Sequence, residues 1–128
     1  MTFVLGLSGL YHDSAAALLK NGEIVGAVQE ERFTRKKHDP SFPTHSINFL
    51  LKSSKISLEK IDSVIFYDKP FLKFERLIET YVSTAPFGFN SFRTAMPIWL
   101  REKLFLKNII FKELKKIYKF FNIKKLYF

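Results

Sequence analysis

The residues best able to do chemistry stand close together near the amino terminus. His12 and Asp13 lie in "GLYHDSAAAL", residues 9–18, between a glycine turn and an alanine run. A neutral imidazole accepts a proton from a hydroxyl within hydrogen-bond reach, which makes His12 a candidate general base. Asp13 has three roles open to it: raising the basicity of the imidazole, binding a metal, or capping the turn. Adjacent strand residues face opposite ways, so the two side chains need not serve one site. On spacing alone, a histidine simply satisfied in a turn is the commoner outcome. The small residues on either side let a ligand approach the backbone closely.

Two further stretches carry charge or glycine in suggestive patterns. "EERFTRKKHD", residues 30–39, sets Arg32, Arg35, Lys36, Lys37 and His38 among three carboxylates. Such cations clamp a phosphate or a nucleotide when a loop gathers them, although charge runs usually remain solvated. "GLSG", residues 6–9, has the composition of a phosphate loop, but two glycines more often mark the end of a strand. His12, His38 and His45 lack the spacing of a ligand pair on one helix, so no metal site is expected. The chain has no cysteine, which excludes disulfides and thiolate chemistry.

These residues need elements to hold them. "TFVLGLSG" (2–9) is short and apolar and reads as a buried strand. "SAAALLK" (14–20) is ambiguous by propensity, and its neighbours decide it. Asn21-Gly22 is a strong hairpin signal, because a type I′ turn needs positive φ at both central residues. "EIVGAVQE" (23–30) then reads as a third strand, giving an antiparallel meander in which "GLYHD" is the first connection. Residues 31–43, charged and with two prolines, read as a loop. Thr44 is a natural N-cap for a helix over 45–54, with Ile47, Leu50 and Leu51 on one face. A short helical turn and a strand around Val64, Ile65 and Phe66 follow, for an order β-β-β-α-β. The second half is mostly helical, over 70–85, 92–106 and 108–121, with Pro70 suited to a first helical turn. Ile110, Leu114, Ile117, Tyr118 and Phe121 form an apolar stripe, and "KKLYF" (124–128) opens a strand.

At 128 residues and 47% hydrophobic, the chain suits one small α/β domain with a modest core. Its start lacks a basic signal-peptide region, and no run is long enough to span a bilayer. A cytoplasmic location is therefore expected, with no membrane partner. Charge is uneven: residues 1–100 carry a net +2 and residues 101–128 a net +7, which together make the formal +9. Lys107, Lys112, Lys115, Lys116 and Lys119 lie opposite the apolar stripe. Either a basic surface for anionic lipid or RNA or the solvated face of a packed helix has this pattern. The second is more common.

Taken in order, the motifs resemble a known family. "LGLSGLYHDSAAALLKNGEIVGAVQEERFTRKKHDPSFP" is similar to the N-terminal signature of the carbamoyltransferases of nodulation and antibiotic biosynthesis. The similarity continues through "FYDKPFLKFERLIETYVSTAPFGFNSFRTAMPIWLREKLFLKN", so it covers most of residues 1–110. It implies an actin-like, ribonuclease-H-related lobe that begins with a three-strand meander. On that basis residues 1–128 are expected to be an incomplete, N-terminal part of the carbamoyltransferase domain, with a helical segment at 86–121. The resemblance also implies an activity. A separate domain makes carbamoyl adenylate from ATP and carbamoyl phosphate, the co-substrates of the full-length family. The lobe with this motif then passes the carbamoyl group to a hydroxyl of a sugar or similar small acceptor. His12 would be the proton acceptor, and Lys37 would contact the adenylate anion, with Arg35 and Lys36 as alternatives in the same loop. The family's metal-binding H-x-x-x-H pair has no counterpart here. The chain is therefore expected to be inactive alone and to need a C-terminal portion, encoded separately if the enzyme is split. The alternatives are a non-catalytic interaction module and, further behind, the basic surface binder.

Overall fold

A computed structural model describes residues 1–68, 70–101 and 105–128. The described chain is mixed α/β. Strands β1 (Phe3–Ser8), β2 (Ala15–Lys20) and β3 (Glu23–Gln29) lead to a one-turn helix α1 (Glu31–Thr34) and to α2 (Thr44–Ser53). Strand β4 (Ser63–Phe66), helices α3 (Pro70–Thr84), α4 (Phe89–Trp99) and α5 (Leu106–Ile117), and a short β5 (Leu126–Tyr127) complete it. The chain divides into two compact units, Met1–Asp68 with Ile110–Phe128, and Lys69–Ile109.

The first unit is built on a five-stranded sheet in the order β3-β2-β1-β4-β5. The meander forms as the turn chemistry requires: Asn21 and Gly22 take φ of 52° and 87°, and β2 pairs antiparallel with β3. The Asn21 side chain accepts from the Thr2 amide at 2.9 Å, and the Thr2 carbonyl accepts from the Asn21 amide at 2.8 Å, closing the turn onto β1. On its other side β1 pairs parallel with β4, matching Leu5 to Val64. Asp62 fixes that register by accepting from the Phe3 amide at 2.7 Å while its own amide donates to the Phe3 carbonyl.

Period-two alternation puts Leu5, Leu7, Ala16, Leu18, Val64 and Phe66 in the core. Helix α2 packs on β2 and β3 and buries Ile47, Leu50 and Leu51. Burial of side chains this size is worth about 1.5–3 kcal/mol each. The same unit buries Ile110 and Leu114 of α5 and, beyond the helix end, Phe121. Lys107, Lys112, Lys115, Lys116 and Lys119 are exposed. In the second unit α3 and α4 meet through Tyr81 and Phe92, stacked 4.2 Å apart. Val82, Phe87 and Ile98 in that unit are largely exposed.

Several expectations need correction. The segment 31–43 is not all loop, because Glu31–Thr34 close one helical turn before Arg35 adopts a left-handed conformation. Thr44 is not the N-cap of α2. Pro43 holds that position, and no side chain at the cap bonds to the helix. Helix α4 begins at Phe89 rather than 92, and α5 spans 106–117 rather than 108–121. The expected helix 92–106 runs over residues 102–104, which lie outside the described residues. "KKLYF" does open a strand, with Val64 opposite Leu126 in a parallel pair.

Candidate active site

The carboxyl ends of β1, β3 and β4 lie along one edge of the sheet, where ligands of open α/β sheets generally bind. Two connections meet at this edge. The β1–β2 loop carries Gly9–Ser14, and the segment after β3 carries Glu30–Pro43. Backbone hydrogen bonds join them: the Leu10 amide donates to the Pro40 carbonyl at 2.9 Å and the Ser14 amide to the Asp39 carbonyl at 3.0 Å. The Glu30 amide donates to the Ser14 carbonyl at 2.8 Å. Gly9 is required by space rather than by an unusual φ. A Cβ there would stand 3.0 Å from the buried Ser14 Oγ and 3.3 Å from Pro43 Cδ. Asp68, also buried, follows β4 at the same edge.

This tying brings His12, Asp13 and His38 together. Asp13 sits at φ 47° and His38 at φ 55°, the left-handed region that aspartate and histidine enter more readily than most residues. The turn at Asp13 removes the strand alternation that would have set His12 and Asp13 on opposite faces. His12 Nδ1 lies 2.9 Å from Asp13 Oδ2, and His38 Nδ1 lies 2.7 Å from Asp13 Oδ1. One carboxylate thus holds two imidazoles. A carboxylate only accepts, so both Nδ1 atoms carry protons, and each neutral ring keeps Nε2 as its basic nitrogen. The bond to His38, partly opposed by burial and then reinforced by His12, holds the Asp13 carboxyl below 3.8. The same bond and the Asp13 charge hold His38 above 6.5.

Two carboxylates stiffen the surrounding segment. Asp39 is held down to about 2, first by the Ser41 hydroxyl, then by Thr34 and the Ser41 amide. It thereby fixes the turn whose carbonyls receive Leu10 and Ser14. Glu30 caps α2 from outside the helix. Its carboxylate accepts from the His45 amide at 3.0 Å, His45 Nδ1 at 2.6 Å, the Ser46 amide at 2.8 Å and the Ser46 hydroxyl at 2.7 Å. Burial raises the Glu30 carboxyl more than any single bond lowers it, but the Ser46 and His45 bonds together bring it below 4.5. A helix amino terminus favours such a negative charge.

Other candidate residues have definite places. Lys37 is exposed, one position before His38, and Arg35 and Lys36 are exposed beside it. Arg32 instead borders a trough of about 520 Å³ over the meander, floored by Gly6, Ser8, Ala15, Ala17 and Ala27. Asp13, Glu31 and His38 bring one ligand atom each within 4.8 Å of one another. This grouping comes from the loop, not from helical spacing, and its members already bond each other: the Glu31 carboxylate accepts from the His38 amide at 3.1 Å. The sequence places His38, Glu30 and Asp39 only within a charge run that could clamp a phosphate, and assigns none of them the bonds seen here. A histidine ahead of Asp39-Pro40, in the segment that follows the meander, was the available signal for the first of these.

The fold and the site define a mixed α/β domain that presents a histidine with an orienting carboxylate at the carboxyl edge of its sheet. The chain belongs to the carbamoyltransferase N-terminus family, whose pattern matches residues 3–127. A protein of Synechocystis, sll1178, is 58% identical over 117 residues, which are 91% of this chain and 19% of that protein. The nodulation protein NolNO of Sinorhizobium fredii is 39% identical over 56 residues, 44% of this chain and 8% of that one. The chain thus spans less than a fifth of either relative. Among solved structures, YeaZ from Pseudomonas aeruginosa is 18% identical with a TM-score of 0.40, over 52% of this chain and 29% of that one. Among the described residues no helix is long and apolar enough to cross a membrane.

Proposed function

We propose that residues 1–128 supply the acceptor-activating part of an O-carbamoyltransferase, with His12 as general base. The observation that carries this reading is the Nδ1–H bond from His12 to Asp13, which leaves Nε2 as the proton-accepting atom. In the transfer step the acceptor hydroxyl oxygen attacks the carbamoyl carbon of carbamoyl adenylate while its proton passes to His12 Nε2. A new C–O bond forms, the bond from that carbon to the phosphate oxygen breaks, and AMP leaves with the electron pair. A bound alcohol is a poor nucleophile until a positioned base takes its proton, and such bases contribute about 10²–10⁴-fold to rate. Lys37 would stabilise the adenylate anion from the exposed loop, with Arg35 and Lys36 as neighbouring alternatives. The sheet order, with its antiparallel meander and parallel β1–β4–β5 ladder, supports the ribonuclease-H-related, actin-like lobe implied by the resemblance. The small-residue trough offers space for a ligand on the sheet face.

The test is a graft of this chain in place of the matching region of the full-length Synechocystis relative. It is assayed with ATP, carbamoyl phosphate and a panel of sugars. His12→Asn should lower carbamoyl transfer at least about 100-fold. Pyrophosphate exchange dependent on carbamoyl phosphate, which reports adenylate formation, should be unchanged. Transfer at the parental rate in the variant would refute the assignment.

A further inference from the structure

We infer that His38 is a positioning residue for His12: by holding one oxygen of the Asp13 carboxylate, it keeps the other aimed at His12 Nδ1 and so fixes His12 in the Nδ1–H tautomer. The catalytic meaning rests on the reading of His12 as the base, whereas the tautomer itself can be observed without any reaction.

The geometry is specific. Asp13 is more than a third exposed, and His12 and His38 more than half, so the carboxylate is not enclosed by packing. Two directed bonds orient it. Asp13 Oδ2 takes His12 at 2.9 Å and Oδ1 takes His38 at 2.7 Å. A carboxylate bonded at one oxygen alone turns about its Cβ–Cγ bond, and this second anchor resists that turn. His38 is itself held: Glu31 accepts from its amide, and the next two residues receive Leu10 and Ser14. The chain runs Glu31, His38, Asp13, His12, from a helical turn to the candidate base. Which ring nitrogen of a histidine carries the proton is set by the bond the other makes, so loss of an outer partner is felt at the base.

The test reads the neutral imidazoles by ¹⁵N NMR of the 128-residue chain at a pH above both histidine titrations. Asparagine at position 38 places an amide donor where Nδ1 stood and tolerates the left-handed backbone. Glycine keeps that backbone and removes the bond. His12 should show Nδ1–H in the wild type and in His38→Asn, and should lose that signature in His38→Gly. Amide shifts of Gly6 and Ala17 in the sheet check that both variants stay folded. Retention of the Nδ1–H signature in His38→Gly would overturn the inference, and so would its loss in both variants. Failure of the base assignment would appear separately, as unimpaired transfer by His12→Asn in the grafted enzyme.

Discussion

Glu30→Gln isolates how the two segments of the site are held to the body of the sheet. Glu30 directly follows β3, its amide bonds Ser14, and its carboxylate closes the start of α2. All four groups around the carboxylate donate to it, two from His45 and two from Ser46. A glutamine there has one accepting oxygen, and its NH₂ must face donors. Whichever way the glutamine turns, one backbone amide, that of His45 or of the fully buried Ser46, loses its acceptor. Leaving that donor unmet costs about 1–3 kcal/mol, and the weakened helix cap adds about 1 kcal/mol. The expected loss is therefore about 3 kcal/mol at pH 7, or about 12 °C in Tm for a chain of this size. The assay is urea unfolding followed by far-ultraviolet circular dichroism, repeated over pH 2.5–7. Glu30 is held below 4.5 in the folded state, so its contribution is present above 4.5 and is lost as pH falls through the folded-state value. Wild type and variant should then converge in acid, because a protonated Glu30 presents the same donor problem as glutamine. Other carboxylates titrate in both proteins and cancel from the difference. Stability curves that run parallel at all pH values would refute the reasoning, as would a loss under about 0.5 kcal/mol at pH 7.

Two further outcomes test the loop directly. Asp13→Asn removes the bond and charge that raise His38, so the His38 midpoint by NMR should fall toward 6.5. A midpoint unchanged in the variant would show that the pair is absent in solution. The raised His38 contributes stability fully below 6.5 and loses it as pH rises through its folded value, while the lowered Asp13 contributes above 3.8. The pair is therefore strongest between these values. Gly9→Ala places a methyl against Ser14 Oγ and Pro43 Cδ. Overpacking of this kind should cost about 1–3 kcal/mol in urea unfolding, and an unchanged midpoint would mean that the loop has room to give.

The meander was legible because its information is local. Asn21-Gly22 demands a particular turn, and the apolar residues of β1 and β2 supply the buried face. Helix α2 was legible from Ile47, Leu50 and Leu51 for the same reason, although its cap was not. Thr44 matches the local preference for a cap, but Glu30 does that work from just after β3, and no short window of sequence contains both partners. The helix boundaries in the second half failed for a related reason: apolar residues are dense there, and periodicity marks a face better than an end.

The site divides along the same line. His12 and Asp13 were visible as neighbours, but their cooperation depends on the left-handed turn at Asp13, which nothing in "YHDSA" requires. His38 is twenty-five residues from Asp13. It arrives through Leu10–Pro40 and Ser14–Asp39, backbone bonds that any residue types could make. The charge run "RKKHD" therefore drew attention to its cations, which the structure leaves exposed, while the structural information lay in His38 and Asp39. A polar segment that follows a strand is pinned wherever its carbonyls meet unpaired amides of a neighbouring loop. Here that requirement, rather than attraction between charges, selects which histidine reaches Asp13: His38 directly precedes the two residues whose carbonyls are used, and Lys37 stands one position too early.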